Sequence, residues 1–298
     1  MQIHTIGTGY FKLDGGAMFG VVPKSIWNKT NPADPNNLCT WALRCMLVED
    51  GNRLILVDTG IGDKQDAKFF GHYYLQGVIS LEEALNSKGY SKQDITDVFL
   101  THLHFDHCGG AIIIKDNQLL PAFKNAVYWS NQNHWIWATE PNEREKASFL
   151  KENILPIRES GQLQMIPVGE ASVDGLNINA KEREQTHLEN ISFIPGFNIR
   201  IANGHTNSMM LPQLVYKGRT IVFMADLLPS TGHLPIPYIM AYDMFPLTSL
   251  FEKKTFLEEA LAGDYVLFFE HDPIHECCTL QKTEKGIRVK DFFSLKDL

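Results

Sequence analysis

The chain has no apolar run longer than five residues among its 298, far short of the ~20 that a membrane-spanning helix needs. Its opening, Met1 to Ile6, lacks the basic start and long apolar stretch of a secretory signal. CxxC pairs are absent, and five cysteines, an odd number, do not make a disulfide framework. Basic residues are also scarce: 27 Lys and Arg stand against 35 Asp and Glu, a net charge of -8. That balance argues against a nucleic-acid partner, which usually leaves a basic footprint. Internal repeats, low-complexity tracts and charge blocks are missing as well. What is present, 44% apolar residues, is the make-up of an ordinary globular protein. A chain of this length buries roughly three quarters of its unfolded surface, so a large core needs no covalent staples. The expectation is a soluble, mildly acidic, cytoplasmic protein with no membrane or nucleic-acid partner.

Strand-like runs are short and rich in β-branched and aromatic residues: Arg44 to Glu49, Arg53 to Asp58, Asp97 to Thr101, Ala126 to Trp129, Asn198 to Ala202, Leu214 to Tyr216, Thr220 to Ala225 and Tyr265 to Phe269. Asp50-Gly51 and Lys217-Gly218 supply hairpin turns. Helical signals run from Leu81 to Lys88, from Asn142 to Asn153 (ending before Pro156), and from Thr248 to Ala262 with Gly263 as a cap. Asn28 to Leu38 and Leu228 to Pro246 are poor in regular structure. Strand and helix signals alternate on both sides of these segments without a shift in composition. The pattern therefore predicts a single α/β domain over residues 1–298, with sheet hairpins early and late.

The most informative stretch is Thr101-His102-Leu103-His104-Phe105-Asp106-His107. Three His and one Asp at these fixed places arise by chance in about one chain in a thousand of this composition. The preceding Val98-Phe99-Leu100 reads as a buried strand and Gly109-Gly110 follows, so the motif lies on a turn at a strand's C-terminal end. Two histidines one residue apart on extended backbone point the same way and can grip one metal. The next Asp-His, on a tightening turn, can face a second. His205, Asp226 and His271 each follow another strand-like run, the kind of position where sites assemble in α/β sheets. Imidazole and carboxylate suit zinc, iron, manganese or cobalt. Seven such ligands supply three or four for each of two metals, leaving positions open for water and substrate.

These residues, with Asp14-Gly15-Gly16-Ala17-Met18-Phe19-Gly20, Leu54-Ile55-Leu56-Val57-Asp58-Thr59-Gly60, Gly204-His205-Thr206 and Glu270-His271-Asp272-Pro273, resemble the metallo-β-lactamase superfamily. The likeness is to its lactonase-like branch, which includes N-acyl homoserine lactonases and methyl parathion hydrolase. The resemblance implies a four-layer αβ/βα sandwich with two mixed β-sheets. It implies that His102, His104 and His205 hold one metal, that Asp106, His107 and His271 hold the other, and that Asp226 bridges them. One departure is visible: relatives commonly continue GHTxGH, whereas here Gly204-His205-Thr206 runs on as Asn207-Ser208-Met209. Branch members are often dimers, so a homodimer is implied too.

Two divalent ions, zinc foremost, with iron, manganese or cobalt as alternatives, can share a hydroxide and polarise a carbonyl or phosphoryl oxygen. Counting Asp106, Asp226 and that hydroxide, the occupied centre carries about +1 and suits an anionic transition state. The expected reaction is metal-dependent hydrolysis of a small-molecule lactone or other carboxylic ester by the bridging hydroxide. The catalytic carboxylates are Asp106 and Asp226, Asp106 also shuttling a proton to the leaving group. Phosphotriester hydrolysis, or a non-catalytic metal-binding regulatory protein of the same fold, are the alternatives. Asp58 is expected to orient a ligand histidine, the rival reading being a turn-forming Asp. Cys108 is expected to be a packed thiol. Met18 and Phe19 are read as a mobile apolar flap, and Trp135 to Trp137 as another pocket wall. Tyr238, Tyr242 and His233 lie in the loop after Asp226 and are possible neighbours of the site. His4, His72, His134, His187, His233 and His275 lack a strand-end position and a partner spacing and are expected to be structural or on the surface, with His233 the one its loop brings nearest to reconsideration.

Overall fold

A computed structural model of the chain describes residues 1–169 and 188–298. Two compact units emerge. The first comprises Met1–Phe11 and Ala42–Val168; the second comprises Lys12–Trp41 and Gly169–Leu298. His187 lies outside the described residues.

A six-stranded sheet contains β1 (Gln2–Asp14), β2 (Leu38–Asp50), β3 (Arg53–Val57), β4 (Asp97–Phe99), β7 (Val127–Asn131) and β8 (Leu163–Ile166), in that spatial order. A small hairpin of β5 (Ile112–Lys115) and β6 (Gln118–Pro121) belongs to the same unit. The Asp50-Gly51 turn forms as expected: Gly51 takes φ 61° and Asp50 pairs with Arg53 across an antiparallel β2–β3 register. From β3 to β8 the pairing is parallel. Both neighbours of β4 are strands, and Val98 and Phe99 are fully buried, as an apolar run in a central parallel strand demands. The buried Asp97 accepts from Arg53 and from the Trp129 indole. Leu47, Leu56, Val98, Leu100, Tyr128, Ile154 and Ile157 belong to one core cluster, in which each fully buried aliphatic side chain contributes about 1.5–3 kcal/mol.

The second unit is built on a seven-stranded sheet of β9 (Glu189–Ile194), β10 (Phe197–Ala202), β11 (Met209–Tyr216), β12 (Arg219–Phe223), β13 (Val266–Phe268), β14 (Cys277–Thr283) and β15 (Gly286–Phe293), each beside the next. All its pairs are antiparallel except β12–β13. The Lys217-Gly218 turn closes β11 on β12 with both residues at positive φ, 49° and 77°, the pairing of signs that a tight hairpin turn prefers. The helix Pro246–Ala262 starts on proline, ends at Gly263 and buries Phe256, Leu257 and Ala260. Both sheets are mixed, as expected, and helices flank them.

One helix departs from expectation. Instead of running from Asn142 and stopping before Pro156, it spans Lys151–Glu159 with Pro156 inside. The Asn142 side chain accepts from the backbone N–H groups of Arg144 and Glu145 at 2.9 and 3.1 Å, a local bond that competes with helix formation. Pro156 costs the later helix one ladder bond, and burial of Ile154 and Ile157 offsets it. Among the described residues, no helix is long and apolar enough to cross a membrane.

Candidate metal centre

The motif in the first unit forms as its spacing predicts. His102 and His104 lie on non-helical backbone after β4, with His104 capping a single helical turn, Phe105–Cys108, that carries Asp106 and His107. Asp58, fully buried and with φ 56°, fixes the entry. Its carboxylate accepts from the Thr101 backbone N–H at 2.8 Å and from Thr101 Oγ1 at 2.7 Å, and lies 3.1 Å from His107 Nδ1. Behind the motif, Thr59 N donates to His107 O at 2.7 Å and Gly110 N to Gly60 O at 3.1 Å. A Cβ at Gly109 would stand 2.0 Å from Ile61 O, and one at Gly110 2.3 Å from Thr59 O. The Gly109-Gly110 pair therefore lets the Asp58–Ile61 loop run against the motif.

Hydrogen bonds set the imidazole orientations. Thr101 Oγ1 spends its proton on Asp58, so it accepts from His102 Nδ1, 3.1 Å away. His104 Nε2 donates to Glu145 Oε1 at 2.9 Å. The remaining nitrogens, His102 Nε2 and His104 Nδ1, face each other at 3.0 Å. Two ring lone pairs this close repel unless a proton or a cation lies between them. His107 gives Nδ1 to Asp58 and turns Nε2 toward Asp106 Oδ2, 3.9 Å away. His134 holds the backbone instead, its Nε2 accepting from Leu103 N at 2.8 Å.

In the second unit, helix Pro246–Ala262 clamps the turn that carries His205. Glu252 accepts from Asn203 N at 2.7 Å and Gly204 N at 3.0 Å. A Cβ at Gly204 would meet Ser249 N at 2.3 Å. Burial pushes the Glu252 carboxyl up to about 8, although those two N–H groups pull it down. His205 presents Nδ1 to Asp243 Oδ1 at 2.9 Å and Nε2 to Asp226 Oδ2 at 3.0 Å. The other oxygen of Asp226 lies 3.3 Å from His271 Nε2. Asp226 thus offers one oxygen to each of two imidazoles. Burial would depress the His205 pKa, but Asp226 and Asp243 together overcome it and lift the ring to about 10. Positive charge is what this pocket of carboxylates selects. Asp272 braces the segment after His271, accepting from Thr231 N and Oγ1 and from the backbone of Ile274 and His275.

The first unit therefore brings together His102, His104, Asp106 and His107, and the second brings together His205, Asp226 and His271. All seven are buried. Their outer nitrogens are tied down where such ties form, and the inner atoms are nitrogen and carboxylate oxygen, a donor set that fits zinc and its neighbours. Asp58 touches His107 as expected. Glu145 and Asp243 play the same part for His104 and His205 and were not anticipated, because neither stands at a strand end or in a recognisable spacing.

Several expectations need correction. Phe19 is fully buried and Met18 2% exposed. The Phe19 ring stacks on His233 at 4.4 Å and on Trp27 at 5.1 Å, and meets Tyr238 edge-on at 6.2 Å. Asp14 caps the short helix Gly15–Phe19 by accepting from Ala17 N. The segment is core, packed as aromatic rings pack in an interior, and not a mobile flap. His233 is structural, as expected: Nε2 donates to Met18 O at 2.9 Å, and the Ser230 hydroxyl lies 2.9 Å from Nδ1. Tyr242 is 40% exposed. Trp135 is buried in the core cluster of the first unit, so it is no pocket wall, whereas Trp137 donates to Glu145 Oε2 at 2.6 Å. Cys108 is a packed thiol, as expected, donating to Leu103 O at 3.3 Å and pushed up to about 12 by burial.

A family model described as the Metallo-beta-lactamase superfamily matches residues 43–271. The chain belongs to that superfamily, and it shows the fold and the ligand types of metal-dependent hydrolases. Over 132 residues it is 31% identical to an N-acyl homoserine lactonase of Bacillus cereus, an alignment covering 41% of this chain and 47% of the relative. The chain thus spans about half the length of that curated relative. A probable metallo-hydrolase of Mycobacterium bovis is 37% identical over 79 residues, 23% of this chain and 26% of the relative. Among solved structures, a probable metal-dependent hydrolase from Staphylococcus aureus superposes with TM-score 0.84 at 24% identity, covering 100% of this chain and 98% of that one. AidC, a dizinc quorum-quenching lactonase in complex with a homoserine product, superposes with TM-score 0.75 at 20% identity, covering 98% and 95%.

Proposed function

We propose that the chain is a dinuclear metal-dependent hydrolase of a lactone or other carboxylic ester. The observation that carries the reading is Asp226, whose two oxygens face two different imidazoles, His205 and His271. A carboxylate so placed is suited to be shared by two ions. In this reading His102, His104 and His205 hold one ion, Asp106, His107 and His271 hold the other, and Asp226 serves both. Two bound divalent ions, zinc foremost, lower the pKa of a water and polarise a carbonyl oxygen. The chain's own residues hold three imidazoles in orientation, through Asp58, Glu145 and Asp243. In the same reading Asp106, 8% exposed, carries a proton to the leaving group. The lactone preference is supported by the two lactonase relatives and extends no further than their likeness. A small-molecule partner, a homodimer and a cytoplasmic setting complete the reading; the five cysteines are all free and buried, as suits a reducing compartment.

The test is metal counting followed by turnover of lactones, aryl esters and phosphotriesters by the metal-loaded chain. Two ions per chain and turnover of lactones or esters are expected. One ion or fewer after reconstitution would sink the dinuclear assignment. Activity confined to phosphotriesters would replace the substrate class, and metal binding without turnover of any substrate would make the chain a binding protein.

A further inference from the structure

The small hairpin β5–β6 supplies no residue to the candidate metal centre, yet it walls a cleft of about 500 Å³ within the first unit. Side chains alternate along a strand, and the register pairs Ile113 with Leu120 and Lys115 with Gln118. Ile113, Lys115, Leu120 and Ala122 therefore share one hairpin face, and all four line the cleft. Lys92 and Lys124 line it too, with Glu82 the one carboxylate among the described lining residues. Glu82 Oε2 lies 3.3 Å from Lys92 Nζ. The neighbouring carboxylates are spent elsewhere, Glu83 on Ser80 and Asp94 on Ser91. Among the described residues, Lys115 and Lys124 have no ion-pair partner. Gln162 Nε2 donates to Phe123 O at 2.9 Å and to Ala126 O at 2.7 Å, and Asn125 Nδ2 to Gln93 O at 2.9 Å. These bonds fix the loop that carries Lys124. Lys92 and Ile113 also line a second, smaller cavity of about 130 Å³, whose aliphatic walls include Ile61, Leu81 and Ile112.

We propose that this cleft is a binding site for a small anionic amphiphile, a phosphate or carboxylate head on an apolar tail. The head lies among Lys92, Lys115 and Lys124, and the tail runs along Ile113 and Leu120 toward Ile61 and Leu81. Three lysines face one glutamate here although the whole chain carries -8. Unpaired ammonium groups around a concave, low-dielectric wall focus their field outward and draw an anion in. Lysine presents a point charge where arginine would present a planar fork, so the site reads charge and accepts either head. A fully polar anion would leave the aliphatic wall wet, and a cation would meet three like charges. The volume falls within the roughly 300–1,000 Å³ of small-molecule pockets. None of these residues is a candidate metal ligand, so the inference stands apart from the hydrolase reading.

Isothermal titration calorimetry of the full chain as purified, with butyl, hexyl and octyl phosphate, tests this. Affinity should rise about fourfold per added methylene until the tail fills the cavities, and should fall with salt. The double variant Lys115→Glu/Lys124→Glu should weaken binding of octyl phosphate by about tenfold or more. Leu120→Gln should flatten the chain-length trend. Lys115, Leu120 and Lys124 are exposed, so these variants should keep the fold and the metal content. Should the charge reversal not fold, Lys115→Gln/Lys124→Gln decides by the same criterion. Octyl phosphate that fails to bind, or binds every variant as it binds wild type, would overturn the proposal. Inorganic phosphate bound as tightly as octyl phosphate would also overturn it, leaving a bare anion patch. Vesicles of phosphatidylglycerol separate a free ligand from a membrane lipid: a chain that sediments with them but ignores octyl phosphate would overturn the small-molecule assignment. A chain that binds octyl phosphate in the expected way but hydrolyses nothing would sink the hydrolase reading and leave this one standing.

Discussion

Asp58 Oδ2 lies 3.1 Å from His107 Nδ1, and both side chains are completely buried. A buried carboxylate of this kind survives only with its hydrogen bonds made, and Thr101 supplies two more. Asp58→Asn can place an amide N–H where His107 needs an acceptor. We expect metal affinity to fall by about 10–100-fold, measured by chelator competition, with most of the fold retained by far-UV circular dichroism. Unchanged affinity would show that Asp58 serves the turn alone.

Asp226→Ala removes the carboxylate facing both His205 and His271. Metal content and turnover should both fall far below those of His4→Ala or His275→Ala, whose rings pair with Tyr90 and Phe292. An Asp226 variant with full metal content and rate refutes the shared-ligand role.

The His233 ring is pushed down to about 3 from 6.5, chiefly by burial, so the folded protein keeps it neutral. Below pH 6.5 the unfolded chain gains a proton that the folded chain refuses. The stability present above that pH is lost as pH falls toward 3, up to about 4–5 kcal/mol across the window. Urea midpoints of the metal-free protein at pH 7 and pH 4 should differ less in His233→Gln than in wild type. Equal differences would rule out this ring as a source of acid sensitivity.

Phe19→Ala empties a site filled by rings on several sides. A loss of about 3–5 kcal/mol is expected, read from denaturant unfolding. A variant as stable as wild type, with altered substrate preference only, would restore the flap reading.

Gly110→Ala drives a methyl into Thr59 O. The loop must shift at a cost of about 1–3 kcal/mol, and because that loop carries Asp58, metal affinity should weaken with it. Calorimetry and chelator competition on the same preparation check both. Wild-type stability would mean that the loop has room to spare.

The residues of the candidate centre were legible because the motif, His205, Asp226 and His271 each come after an apolar run that reads as a buried strand, as Val98-Phe99 precedes His102 and Ile221 to Ala225 precede Asp226. The Asp50-Gly51 and Lys217-Gly218 turns carry their own chemistry. Glu145 and Asp243 were not legible: each meets its histidine across 41 and 38 residues of chain respectively, a distance that periodicity does not span. The long β1 escaped because its burial alternates irregularly, and β14–β15 because β15 is largely polar and exposed. Phe19 was misread for a related reason. Flanking glycines suggest mobility, while the rings that pin it, Trp27, Tyr238 and His233, come from separate parts of the chain.

The division of the chain also dictates an order of birth. When a ribosome has delivered residue 168, the first unit is complete, yet the second owns only Lys12–Trp41. That early piece carries Phe19 and Trp41, whose ring partners Tyr238 and His233 are still unmade. A nascent chain therefore holds an aromatic-rich segment without its final packing at least until Tyr238 is made. Such transiently exposed surface is where aggregation starts. Slow translation or scarce chaperones would reduce the yield of this protein before any defect in its finished fold could matter.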